Sequence, residues 1–286
     1  IITSLLIALV LMTAGHLLFQ NISLTFIADY FSKIFSSADE NFYWFIAAGF
    51  IAQMIDGALG MAYGVSATTF LLALGIPPLS VSASVHTSEI FTSGASGLMH
   101  LKFGNVNKRL FKKLLLPGIA GAAAGAVLLF ILSDFNSIVR PLTGIYTLTL
   151  GVVIITKALK KNRKNSRIKN ISALAGFGGF LDSVGGGGWG PIVSSTLIAK
   201  GKNPLTTIAS VNLAEFFVAL SSSAAFVIVI GLLHWQISAG LILGGITAAP
   251  LAAKAAGKLP VKILMILVGS LIILVSLKII FTIIIN

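Results

Sequence analysis

DGALGMAYGVSATTFLLALGIPPLSVSASVHTSE, residues 56–89, occurs twice in this chain. Shifted by 126 positions, it lies without a gap over DSVGGGGWGPIVSSTLIAKGKNPLTTIASVNLAE, residues 182–215. Asp56 falls on Asp182, Gly60 on Gly186, Gly64 on Gly190, Gly75 on Gly201 and Glu89 on Glu215. Twelve of the 34 positions are identical, where a composition this skewed gives roughly three by chance. The duplicated unit is a Gly-rich break carrying one carboxylate, then a Pro-led apolar helix carrying another.

Working outward, the rest of the chain is apolar: 56% hydrophobic and only 10% charged residues. Runs of 18 or more apolar residues recur, and each is long enough to cross a hydrocarbon core of ~30 Å. A water-soluble domain needs far more surface charge. The first run, 1–27, is too long for a signal-peptide core and reads as a spanning helix. The absence of Cys excludes disulfides and thiolate chemistry. A net charge of +12 raises the question of nucleic acid, but the basic residues sit in short loops between apolar runs. That is the pattern of membrane orientation, so the partner is a lipid bilayer and not nucleic acid.

Charge then assigns sides. The loop 102–113 carries five basic residues and the segment 157–169 seven, which places both in the cytoplasm. The two helices between them form a hairpin, so residues 134–140 lie outside. Counting back, 42–75 begins and ends on the outer side. Its limbs, 42–55 and 66–75, rise only ~21 and ~15 Å as helix, nearer half a membrane than a whole one. The segment is expected to be a re-entrant hairpin broken at 56–64, and its copy a hairpin broken at 182–191 that enters from the opposite face. The alternative counts some limbs as full spans, giving eight or more.

The expected fold is an all-α polytopic membrane protein with two inverted-topology repeats. Each repeat is a re-entrant helical hairpin plus three transmembrane helices, and one N-terminal transmembrane helix precedes them. Residues 1–41 form that helix and an outer loop, 42–160 the first repeat, 161–168 a basic cytoplasmic linker and 169–286 the second repeat. The N-terminus is cytoplasmic and the C-terminus outside, in the cell (inner or plasma) membrane. Only Lys33, Arg140 and Lys278, of 20 Lys and Arg, then fall outside the cytoplasm.

Broken helices meeting at the midplane are the usual architecture of secondary transporters. Where a helix restarts at a break, its free N–H groups and positive dipole end face the site. Two opposed restarts make an anion site without Arg or Lys. The substrate-binding candidates are therefore Gly60, Tyr63, Gly64 and Ser66 in the first copy, and Gly186, Gly188, Trp189, Gly190 and Ser194 in the second. The bland alternative is that the glycines only let helices pack closely. Tyr63 and Trp189 either wall the site or anchor the tips.

Asp56, Glu89, Asp182 and Glu215 are four of only eight acidic residues, all within apolar segments. A carboxylate at membrane depth is a functional hypothesis by default. These four either exchange protons and couple transport, or accept hydrogen bonds from the tip backbone as fixed partners. His86 lies one helical turn before Glu89 and is matched by Asn212, so one copy has a titratable group where the other has an amide. No spacing suggests a metal site, a cofactor or a catalytic constellation, so an enzyme is not expected.

The breaks GALGMAYG (57–64) and GGGGWGP (185–191), and the helix starts PPLSVSASVHTSE (77–89) and NPLTTIASVNLAE (203–215), resemble the TauE/SafE family of sulfite and organosulfonate exporters. The resemblance runs from about residue 42 to the C-terminus. It implies a multi-pass membrane protein that moves small sulfur-containing anions such as sulfite or sulfoacetate. The combined expectation is a secondary active transporter holding such an anion between the two hairpin tips, with proton coupling as an added possibility. The alternative is an anion channel with the same pore and no alternating access. Neither the direction of transport nor the oligomeric state is encoded legibly.

Overall fold

A computed structural model describes residues 41–159, 168, 170–231, 235–255 and 260–285. The expected N-terminal helix, the outer loop before Asn41, most of the basic linker, Lys33, His16 and His234 lie outside the described residues. The elements below all belong to one compact unit, Phe42–Asn286. Every one is helical, with no strand among the described residues.

In chain order they are α1 (Phe42–Leu59), α2 (Tyr63–Ala73), α3 (Pro78–Lys102), α4 (Lys108–Ile131) and α5 (Asn136–Leu159), then α6 (Ile171–Gly185). After α6 a π turn, Gly190–Ser194, leads straight into α7 (Ser195–Ala199). Then come α8 (Pro204–Ile230), α9 (Trp235–Ala255) and α10 (Val261–Ile285). Local sequence explains the starts. Asn107, Asn170 and Asn203 each accept a backbone N–H of the first turn of α4, α6 and α8. Pro78 and Pro204 occupy the first position of α3 and α8, where no N–H is missed.

Among the described residues, five helical stretches are long and apolar enough to cross a membrane: Lys108–Ile131, Ser133–Leu159, Pro204–Ile230, Trp235–Ala252 and Lys262–Thr282. The chain is thus a multi-pass membrane protein. Of the expected spans, α3 does not reach that apolar threshold despite its 25 residues. The reason is where its polar groups go: Ser80, Ser82, Ser84, His86, Ser88, Glu89 and Ser93 are all buried against neighbouring helices. The short helices α1 and α6 run further than the sequence suggests. Helix α1 continues past Asp56 to Leu59 and α6 past Asp182 to Gly185, because the chain turns only at Gly60 (φ 69°) and Gly186 (φ 74°).

Helix packing exchanges partners between the two halves. Helix α1 packs on α9, and its counterpart α6 packs on α4, the counterpart of α9. Helices α3 and α8 pack on each other, as do α5 and α10. The α4–α6 contact is close because a Cβ at Gly121 would collide with Gly176 O, and one at Gly179 with Gly118 O. Gly49 and Gly244 do the same for α1–α9, against Leu241 O and Ile46 O. Small residues are how helices approach when no hydrophobic effect separates them from lipid.

Candidate functional site

Both breaks are built the same way. The Asp in the last helical turn reaches across the gap to cap the restart. Ala62 N–H donates to Asp56 Oδ1 at 2.9 Å and Tyr63 N–H to the same oxygen at 3.3 Å. Trp189 N–H donates to Asp182 Oδ1 at 2.7 Å. Both Asp residues thus accept the N–H seven residues on, at matched positions of the two copies. The carboxylates satisfy orphan donors of the restarting helices and complement their positive ends.

The breaks touch. A Cβ on Gly187 would stand 2.7 Å from Gly64 Cα and 2.5 Å from Val65 N. Thr68 Oγ1 donates to Gly186 O, which ties α2 to the other break. Met61 packs on Gly190: a Cβ there would meet Met61 Cβ at 3.0 Å. Two loops 126 positions apart in sequence therefore cross backbone to backbone, at glycines, with Glu89 beside them. A Cβ at Gly64 would come within 2.5 Å of Glu89 Oε1.

His86 and Asp182 form the one ion pair among the described residues, Nε2 to Oδ2 at 3.1 Å, with both side chains buried. The protonation of the pair follows from geometry. Nδ1 lies 2.7 Å from Ser82 O, and a carbonyl only accepts, so Nδ1 carries hydrogen. One proton must then lie between Nε2 and Oδ2. Ser82 also ties this corner to α6 by donating to Ser183 O at 2.6 Å.

Around the crossing, several buried polar atoms have no hydrogen-bond partner: Glu89 Oε2, Ser66 Oγ, Ser194 Oγ and Tyr146 OH. Ser66 follows Gly64 on α2, and Ser194 ends the π turn. Tyr146, on α5, lies against the second break, since a Cβ at Gly185 or Gly188 would strike its ring or hydroxyl. Unpartnered buried groups of this kind are costly.

The other expected residues are placed as follows. Trp189 is fully buried in an apolar cluster with Leu114 and Val218, and its Nε1–H donates to Val211 O at 3.2 Å. Tyr63 is buried too, with its hydroxyl 3.4 Å from Leu241 O. Both aromatics thus fasten the breaks into the bundle. Gly60 sits against Ile208. Asn212 does not repeat the contact of His86; its Nδ2 donates to Ser96 Oγ at 3.0 Å. Glu215 is half-buried on α8.

Two side chains were not legible as site residues. Tyr146 is matched by Ile272 and Lys157 by Ile283, so neither carries the duplication signal. Lys157 belongs to a basic run, yet it is partly buried: its Nζ donates to Pro191 O at 2.9 Å and to Ser195 Oγ. For a metal, His86, Glu89 and Asp182 are the one group of described residues with donor atoms all within 4.8 Å of each other. Both nitrogens of His86 are already engaged, so a cation there would have to break the His86–Asp182 contact.

The sequence profile of the family described as "Sulfite exporter TauE/SafE" matches residues 45–279. A Bacillus subtilis (strain 168) protein named "Probable membrane transporter protein YtnM" is 40% identical over 242 residues, covering 81% of this chain and 80% of that protein. No solved structure matches.

Proposed function

The chain belongs to the sulfite exporter TauE/SafE family, and we propose that it is a secondary active transporter for a small sulfur-containing anion, sulfite or an organosulfonate such as sulfoacetate. The anion binds where the two Gly-rich breaks cross, between the restarts at Tyr63 and Trp189. The observation that carries this reading is the backbone contact of Gly64 with Gly187, surrounded by unpartnered Ser66, Ser194, Tyr146 and Glu89. The exchange of partners among helices supports reading the halves as inverted repeats, each a re-entrant hairpin plus three spans. The positions of the basic loops support a reading with the N-terminus in the cytoplasm and the C-terminus outside the cell membrane.

An anion at this crossing has carboxylates for neighbours. Asp56 and Asp182 have backbone donors, and Asp182 also shares a proton with His86. Glu89 has an oxygen with no partner. At ~6 Å and an effective dielectric of ~20, an ionised Glu89 would repel a monovalent anion by about 3 kcal/mol, roughly a hundredfold in affinity. The anion therefore binds with Glu89 protonated, and anion and proton move together. Gradients, not the site, set the direction.

Flux into proteoliposomes with sulfite, sulfoacetate, sulfate and chloride, with and without a pH gradient, tests this. The expected result is saturable, counterflow-competent flux of sulfite or sulfoacetate that a pH gradient drives. Glu89→Gln is expected to keep anion exchange and lose the gradient dependence. Flux that rises linearly with concentration and shows no counterflow identifies a channel instead. Unchanged pH dependence in Glu89→Gln removes Glu89 from coupling.

A further inference from the structure

Arg140 and Lys278 are the described basic residues that stand apart from every basic loop. In the fold they come together. Both line one cavity of about 440 Å³, with Leu72, Asn136, Ser137 and Thr282. The cavity lies between the first turns of α5 and the last turns of α10, at the end of α2 away from its break. Helices α4 and α5 are joined by the short turn at 133–135, so the cavity is at the opposite end of α4 from Lys108–Lys113, some ~36 Å away.

Arg140 has an obvious structural task. Its Nη2 donates to Leu72 O at 3.3 Å, capping the carbonyl end of α2. That task uses one of five guanidinium donors. Arg140 Nε is buried without a partner, and Lys278, which is exposed, takes no part in the cap. Neither cation has an ion pair among the described residues. Asp134, the nearest carboxylate in the sequence, is not among the lining residues. The lining offers two cations, two hydroxyls and an amide, and no carboxylate.

We propose that this cavity is an anion-collecting vestibule: it binds a small oxyanion through Arg140 and Lys278 and raises its concentration at the face opposite the basic loops. The inference rests on the transport reading for its purpose, since α2 leads from Ala73 at the vestibule to Tyr63 at the crossing, about 16 Å. A cation-lined recess with apolar walls concentrates counter-ions in this way, and the effect weakens with ionic strength.

Lys278 reports occupancy without any transport. The purified protein in detergent is treated with an acetylating reagent, and Lys278 and exposed Lys102 are followed by peptide mass spectrometry. Sulfate and sulfite are the probes, with chloride at matched ionic strength as control. Sulfate is expected to slow Lys278 acetylation at least about threefold, saturably, leaving Lys102 unchanged. Arg140→Gln should abolish the protection and Arg140→Lys should retain part of it. In proteoliposomes, Lys278→Gln should raise the half-saturating concentration from that face about threefold to tenfold at low salt, with the maximal rate unchanged and the difference gone near ~0.5 M salt. No protection, or equal protection of Lys278 and Lys102, overturns the vestibule. Sulfite flux without protection leaves the transport reading standing and removes the vestibule; protection in a protein that carries no sulfur oxyanion does the reverse.

Discussion

Gly187→Ala is expected to abolish transport and to cost at least roughly 3 kcal/mol of stability, the sum of backbone strain and overpacking. Two effects coincide at this position. Its φ of 152° is one that side-chain-bearing residues rarely adopt. Its Cβ would also lie 2.5 Å from Val65 N and 2.7 Å from Gly64 Cα, and both are backbone atoms. A flexible side chain could swing aside; a helix start cannot. The two breaks would have to separate, and with them the two helix restarts. Gly104→Ala is the control. Its φ of 70° is also positive, but nothing lies within 4 Å of the new methyl. It should cost about 1–2 kcal/mol and leave flux within about twofold. Thermal unfolding in detergent and proteoliposome flux read both variants. Wild-type flux and unfolding temperature in Gly187→Ala would mean that the breaks do not touch in the working protein.

The same glycine shows what the sequence reveals and what it hides. Duplication makes the breaks legible, because Gly60 with Gly186 and Asp56 with Asp182 recur at one spacing. The side-chain pattern also makes α4, α5, α8, α9 and α10 legible as apolar spans. Gly187 is matched by Met61, so self-comparison passes over it, although it is the point of crossing. Tyr146 and Lys157 are hidden for the same reason: each acts on the second break from a helix of the first half. A repeat signal reports what the two copies share. A transporter site also needs what one copy does for the other, and that has no periodicity. Helix α3 illustrates a second blind spot. Its serines lower its hydropathy below that of its neighbours, because the face that carries them is buried against other helices.

Asp182→Ala should be markedly worse than Asp56→Ala, although the two residues are equivalent by duplication. Asp56→Ala strands two backbone N–H groups at a helix start, a loss of about 1–2 kcal/mol. Asp182→Ala strands the Trp189 N–H and also leaves buried His86 without its partner, and breaking a buried charged pair costs about 3–5 kcal/mol. A gap of roughly 2 kcal/mol between the two variants is therefore expected in their unfolding free energies. Asp182→Asn separates the charge from the hydrogen bonds. Its amide oxygen still accepts from Trp189 N–H. Its amide nitrogen donates to His86 Nε2, which is free to accept because Ser82 O fixes the hydrogen on Nδ1. Stability should then stay within about 1 kcal/mol of wild type, since both hydrogen bonds are kept. The pH dependence of flux should also persist, since the proton shared by His86 and Asp182 is held in a closed pair while Glu89 has an open oxygen. Loss of gradient-driven flux in Asp182→Asn, with Glu89→Gln unaffected, would move the coupling proton from Glu89 to the His86–Asp182 pair.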